Sequence, residues 1–332
     1  MKRPFFLLTV LICFPFLQSV YAQNTQPTLH GYIQTRFSSD FEKSNDAMIR
    51  RAKLWIDGKA LGLENVSYKF QTVYRSFKDE AVMFQDALVD VKMNGIGVLR
   101  VGRFVPDFML QRMQPDYEIA DIERASVISG MIHNSKSMAR QIGIQFTYQT
   151  KDLPLHISVG AFNANLESPG KNNDNNLLYT SHVQYTFINN DDAMIEAGFS
   201  AAYRYAHTLS MNTIYPSTSL VTGNDLRTGI EFQMEYKDFG IQSEYIQASI
   251  RNDKVWGYYI GSEYLVTTTV QATAGVEKYS DLISTTNDNE WYSIGLNYLF
   301  TDKTKLMTDF KTQFSSTTNN YLGEIQFQVF LF

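Results

Sequence analysis

Cysteine is almost missing from this chain: one residue, Cys13, in 332. A disulfide framework is therefore excluded. Charge is also scarce, with Asp, Glu, Lys and Arg at 19% against about 25% in ordinary soluble domains. The net charge is −5 with no long block of either sign, which argues against a nucleic-acid partner. After the first two dozen residues no apolar run reaches the roughly 18 positions of a membrane helix. No His-Glu-x-x-His or other metal spacing occurs among the five histidines, and no Gly-x-Ser-x-Gly elbow. No catalytic set, metal or other cofactor is expected. A hydrolase would need a spatial Ser–His pair, with His133 the candidate base. The Asn-rich stretches Asn172 to Asn176 and Asn287-Asp288-Asn289-Glu290 match no Ca²⁺ loop and read as solvated loop.

The chain opens with Lys2 and Arg3, an apolar run from Phe5 to Leu17, and Val20-Tyr21-Ala22. This is the pattern of a secretory signal peptide cut after Ala22. Ile12 before Cys13 is too large for a lipoprotein cleavage site. Removing 22 of the 332 residues leaves 310 and no cysteine. Residues 23–332 are expected to form one domain, held by backbone pairing and burial alone.

What the sequence does have is alternation of period two, the strand signal. Ile142, Ile144, Phe146 and Tyr148 alternate with Gln141, Gly143, Gln145 and Thr147. Leu226, Ile230, Phe232, Met234 and Tyr236 alternate with Arg227, Gly229, Glu231 and Gln233. Tyr292, Ile294, Leu296 and Tyr298 follow the same rule, and the chain ends in such a run at Phe332. A soluble sandwich would point the apolar face at a core. An outer-membrane barrel points it at lipid. Runs of about ten residues exceed the usual soluble strand and match a tilted membrane crossing. Aromatics near run ends, such as Tyr185 and Phe187, Tyr203 and Tyr205, and Tyr298 and Phe300, fit interfacial girdles.

Short turns are expected at Leu61 to Glu64, Met93 to Gly95, Lys151 to Pro154, Asn189 to Asp192, Lys237 to Gly240, Val266 to Thr268 and Thr301 to Lys303. All but the sixth hold Gly, Asn, Asp or Pro. Eight longer polar connections separate them, near 38–47, 75–81, 104–139, 163–177, 206–224, 250–254, 281–289 and 315–319. Seven turns and eight loops give sixteen strands. An all-β, antiparallel transmembrane barrel of that size encloses an aqueous channel.

The third loop, residues 104–139, is the longest and carries Phe104, Phe108, Met109, Leu110, Met113, Tyr117, Ile119 and Ile122. Such content wants burial, and folding into the lumen would supply it. The alternative is an outside loop packed on its neighbours.

Val101-Gly102-Arg103-Phe104 with Pro106, Ile122-Glu123-Arg124, and Arg140-Gln141-Ile142-Gly143-Ile144-Gln145 resemble the third-loop region of the phosphate-selective porin O and P family. Ile49-Arg50-Arg51-Ala52-Lys53-Leu54, Tyr68-Lys69-Phe70-Gln71, Asp86-Ala87-Leu88-Val89-Asp90 and Phe162-Asn163 extend the resemblance across about 49–180. The resemblance implies a homotrimeric porin of the Gram-negative outer membrane, surrounded by lipid, passing small solutes or ions such as phosphate. It also implies an anion path at Arg51, Lys53, Arg103, Arg124 and Arg140. The sequence departs from the family where Val105 replaces a common basic residue and at Asp107.

On its own, the pattern places Arg51, Lys53, Trp55 and Asp57 on one strand face, which must be the lumen side. A base at the lipid midplane costs about 2–4 kcal/mol. Arg100 and Arg103 differ in parity, so a regular strand sends only one inward. The third loop adds the acids Asp107, Asp116, Glu118, Asp121 and Glu123 against Arg112, Arg124 and Lys136, a net of −2. Two readings stay open: an open anion path along the bases, or wall ion pairs in which Asp57, Asp86, Asp90 and Glu123 neutralise them. Cation or organic-acid passage, or a barrel without an open pore, are the rival functions.

Overall fold

The computed structural model describes residues 26–76, 81–133, 139–149, 153–164, 175–283, 290–314 and 319–332. The expected leader, part of the Lys151 to Pro154 turn, Lys136, Asn172 to Asp174 and Asn287 to Asn289 lie outside the described residues.

Sixteen strands follow in chain order. They are β1 (Thr28–Ser39), β2 (Asn45–Ala60), β3 (Leu63–Tyr74), β4 (Val82–Met93), β5 (Gly97–Phe104), β6 (Gln141–Gln149), β7 (Leu155–Asn163) and β8 (Leu177–Asn189). Then come β9 (Ala193–Ser210), β10 (Leu220–Tyr236), β11 (Phe239–Ile250), β12 (Asp253–Thr267), β13 (Val270–Ser280), β14 (Trp291–Leu299), β15 (Lys305–Gln313) and β16 (Asn320–Phe330). Each pairs antiparallel with its sequence neighbour, and β1 closes on β16 with Tyr32 opposite Phe330 and Gln34 opposite Gln328. Closure leaves no strand edge, as hydrocarbon requires. Strand lengths run from 8 residues in β5 to 18 in β9, a wider spread than ten-residue runs suggest.

The sidedness is inverted relative to a soluble protein. On β10, Ile230 is 59% and Leu226 44% exposed, while Arg227 is 1% and Glu231 5% exposed. Tyr185, Phe187, Tyr203, Tyr205, Tyr298 and Phe300 all point outward. The lipid-facing period sets register, because a slip of one residue would turn Arg227 and Glu231 into hydrocarbon.

The turn at Thr267 works without Gly, Asn, Asp or Pro. The Thr267 hydroxyl accepts from the Thr269 and Val270 amides at 3.3 and 3.1 Å, so a side chain caps the turn. On the opposite rim one connection shrinks to Arg251 and Asn252, between β11 and β12.

The apolar core lies inside the barrel, against the wall of β7 to β12. It joins Phe104, Phe108, Met109, Ile128 and Met131 to Phe162, Leu178, Ile246 and Val255. Two short helices lie between β5 and β6: α1 (Leu110–Met113) and α2 (Ser126–Gly130). The β9–β10 connection folds inward over α2. Met211, Ile214 and Tyr215 are buried, and the Thr213 hydroxyl donates to the Gly130 carbonyl at 2.7 Å. Glycines on the inner wall make room. A Cβ at Gly229 would strike the Met109 sulfur, and one at Gly257 would meet Val127 at 2.6 Å.

Candidate functional site

The third loop circles the inside of the wall, and inward polar side chains satisfy its backbone. The Asp107 amide donates to Gln145 at 3.0 Å, the Met109 amide to the Ser200 hydroxyl at 2.9 Å, and the Gln111 amide to Glu244 at 2.7 Å. The loop then crosses to the far side. The carbonyls of Tyr117, Ile119, Ala120 and Ile122 accept from Gln328 (3.2 Å), Lys305 (2.9 Å), Asn297 (2.8 Å) and Arg36 (3.2 Å). It returns past β13, where the Ser126 amide donates to Glu277 at 2.7 Å. Irregular backbone at membrane depth survives only with such partners. The inward Gln, Asn and Ser of the alternating runs therefore hold the loop as well as wetting the pore.

Two carboxylates of this loop gather the bases of β1 and β2. Asp116 accepts from Lys53 and Arg124, with Arg51 Nε at 3.7 Å. Glu123 receives Arg36 at 2.7 Å, Arg51 at 3.1 Å, and Arg50. Burial alone would raise both carboxyls. Arg124, Lys53 and Arg51 outweigh it at Asp116, and Arg51, Arg36 and Arg50 at Glu123, so both stay well below the usual carboxylate range. Further along the wall, Arg140 donates to Asp86 at 2.9 Å with Lys69 3.7 Å from the same carboxylate. Arg100 forms a two-pronged pair with Asp90 at 2.7 and 2.8 Å.

Arg51, Lys53 and Arg124 thus meet around one loop acid, and Arg140, just before β6, lines one cavity with Lys53 and Arg124. Arg103 does not join them. It lies within β5 on the face of exposed Val101, opposite Ala87 and Ile142, while Arg100 and Phe104 take the inward face. Asp107 sits 3.6 Å from His156. His156, with a side-chain bond from Gln145, helps hold its carboxyl low against the rise from burial. At Asp121 burial outweighs the pull of Lys311 and Lys305 and raises the carboxyl. Inward Arg36 was legible from its parity with Gln34 but carries no motif. His133 is buried within the loop packing, edge-on to Phe108 and 3.9 Å from Asp225. Among the described residues no His, Cys, Asp or Glu cluster could hold a metal.

Two spaces beside the loop differ in size. Between the loop and β2 to β5 lies a cavity of about 610 Å³. Among the described residues its bases are Lys53, Lys59, Lys69, Arg100, Arg112, Arg124 and Arg140, and its acids Asp57, Asp86, Asp90, Asp107 and Asp116. Seven bases against five acids leave an excess of two positive charges. The space on the β10 to β12 side is about 70 Å³, and its charged lining residues are the acids Glu118, Asp121, Glu235 and Glu263.

A closed sixteen-stranded barrel with an apolar outside and a charged, loop-narrowed lumen defines the class of outer-membrane channels. Residues 31–326 match the family model for phosphate-selective porin O and P. The chain belongs to this family of outer-membrane porins, and its place is the Gram-negative outer membrane. Among solved structures it is similar to a loop L8 deletion mutant of OmpT, an outer membrane protein of Vibrio cholerae (15% identity, TM-score 0.65, 93% of this chain and 100% of that one). It is similar to OmpF of Salmonella typhi in complex with daunomycin (11%, TM-score 0.66, 94% and 99%). A further likeness is a double mutant of the porin of Rh. blastica (13%, TM-score 0.61, 92% and 100%). No curated protein matches.

Proposed function

We propose that this porin is a passive diffusion channel, assembled as a homotrimer, that prefers small anions, phosphate among them. The observation that carries the reading is the larger cavity's excess of two positive charges, since the sign of the lining charges sets selectivity. The family model's description points the same way. Arginine suits phosphate because its planar fork donates two hydrogen bonds at once. Here the forks are already engaged by Asp86, Asp90, Asp116 and Glu123. A passing anion therefore exchanges with a wall carboxylate instead of meeting a bare cation. That keeps binding weak enough for release, which conduction requires.

The test is a planar bilayer with a potassium chloride gradient. The expected result is a reversal potential on the anion side, conductance steps in groups of three, and reduced chloride current when phosphate is added. Replacing Arg124 and Arg140 together by Ala should move the reversal potential toward the cation side. An unchanged value would sink the anion path. Cation preference in the unmodified protein would give the loop acids the deciding role.

A further inference from the structure

We infer that the large cavity is suited to organic anions bearing a flat ring, aromatic carboxylates, beyond bare inorganic ions; this rests on the anion preference proposed above. Among the described residues three base–aromatic pairs line the cavity, and Lys53 Nζ, 5.8 Å from the centre of the Tyr32 ring, makes the first. Lys69 Nζ stands 5.9 Å from the centre of the Trp55 ring, and the Arg100 guanidinium 5.4 Å from that of Phe104. Lys69 and Arg100 also hold Asp86 and Asp90, so each already has a carboxylate on one side and a ring on the other. The third loop adds Met113 and Tyr117 to the lining. Tyr117 lies parallel to Trp55, with ring centres 6.3 Å apart and planes within 4°.

An inorganic phosphate gains nothing from this strip. It is strongly hydrated, and apolar wall only makes its dehydration harder. A ring-bearing carboxylate uses both halves of the lining at once. Its anionic end accepts from Lys69 or Arg100, and its ring lies against Trp55 or Met113. His30 stacks on Trp55 at 5.0 Å and Tyr117 lies parallel to it at 6.3 Å, but Trp55 is only half-buried, and the part of the ring these neighbours leave exposed is what a ligand meets.

The test compares sodium benzoate, cyclohexanecarboxylate and acetate as blockers of chloride current through the trimer in a planar bilayer at neutral pH. All three carry one carboxylate; only benzoate has a flat π-face. Benzoate should reach half-block at a concentration about two- to tenfold below acetate, the range one ring contact contributes, with cyclohexanecarboxylate between them. In Trp55→Leu, shown to be folded by heat-modifiable electrophoretic mobility, benzoate should weaken toward cyclohexanecarboxylate while acetate stays unchanged. Equal block by benzoate and acetate in an anion-selective wild type would overturn this inference and leave the anion channel standing. So would a Trp55→Leu channel that blocks like wild type. A cation-selective wild type would overturn the anion reading itself, and this inference with it.

Discussion

At the scale of single residues, the proposed selectivity turns on Asp116. It is a carboxylate tethered by its loop among Lys53, Arg51 and Arg124, in the place a free anion would take. Asp116→Asn should therefore raise the anion-to-cation permeability ratio. One charge about 10 Å from a passing ion in water contributes ~0.4 kcal/mol, with opposite sign for anion and cation, so the ratio changes roughly fourfold. The shift in reversal potential measures it, and a shift toward cations would contradict the arrangement. The pH dependence has a definite sign. The Asp116 carboxyl is held low in the folded protein, so its pairing contributes fully above the unfolded carboxyl value of about 3.9. That contribution is lost as pH falls through the lower, folded value. Any pH sensitivity carried by Asp116 should be absent between about pH 8 and pH 4.5. Sequence alone reaches only part of this. The lumen parity of Arg51, Lys53 and Asp57 is legible because β2 alternates strictly. The meeting of Lys53 with Asp116 is not, because 63 residues separate them and no periodicity relates a strand to an irregular loop.

At the scale of elements, the strands are legible in the sequence and the path of the third loop is not. Strands are legible because lipid imposes an apolar residue at every second position, and turns because backbone angles select Gly, Asn and Asp. The loop obeys neither rule. Its apolar residues announce burial, but its path depends on scattered partners such as Ser200, Glu244, Asn297 and Gln328. Arg103 shows the limit from the other side. A family motif marks it, yet β5 continues through it and turns it to the outer face. At its far end the loop is held by Tyr117, which packs edge-on to Phe330 at 4.9 Å and Tyr32 at 5.6 Å and parallel to Trp55. At ~0.5–1.5 kcal/mol per aromatic pair, Tyr117→Ala should release on the order of 2–3 kcal/mol of anchoring. The barrel should still fold, because its pairing lies elsewhere. Single-channel conductance should rise and its open-state noise increase. A channel indistinguishable from wild type would mean the backbone bonds alone hold the loop.

At the scale of the whole molecule, two spaces beside the loop differ in size and sign: about 610 Å³ with excess bases, and about 70 Å³ lined by acids. If ions pass through the larger space, the two sides should respond unequally to loss of charge. Replacing Lys59 and Lys69 together by Gln removes two bases from the wide path. By the same arithmetic the anion-to-cation ratio should fall by on the order of tenfold at low salt. Replacing Glu118 and Glu235 by Gln removes two acids from the narrow side, and the ratio should rise by less than about twofold, because charges beyond a Debye length of ~10 Å at 0.1 M are screened. Raising the salt should shrink both effects. Equal and opposite shifts from the two pairs would mean that ions sample both sides of the loop. A larger shift from the acids would mean that the narrow side, and not the wide one, carries the current.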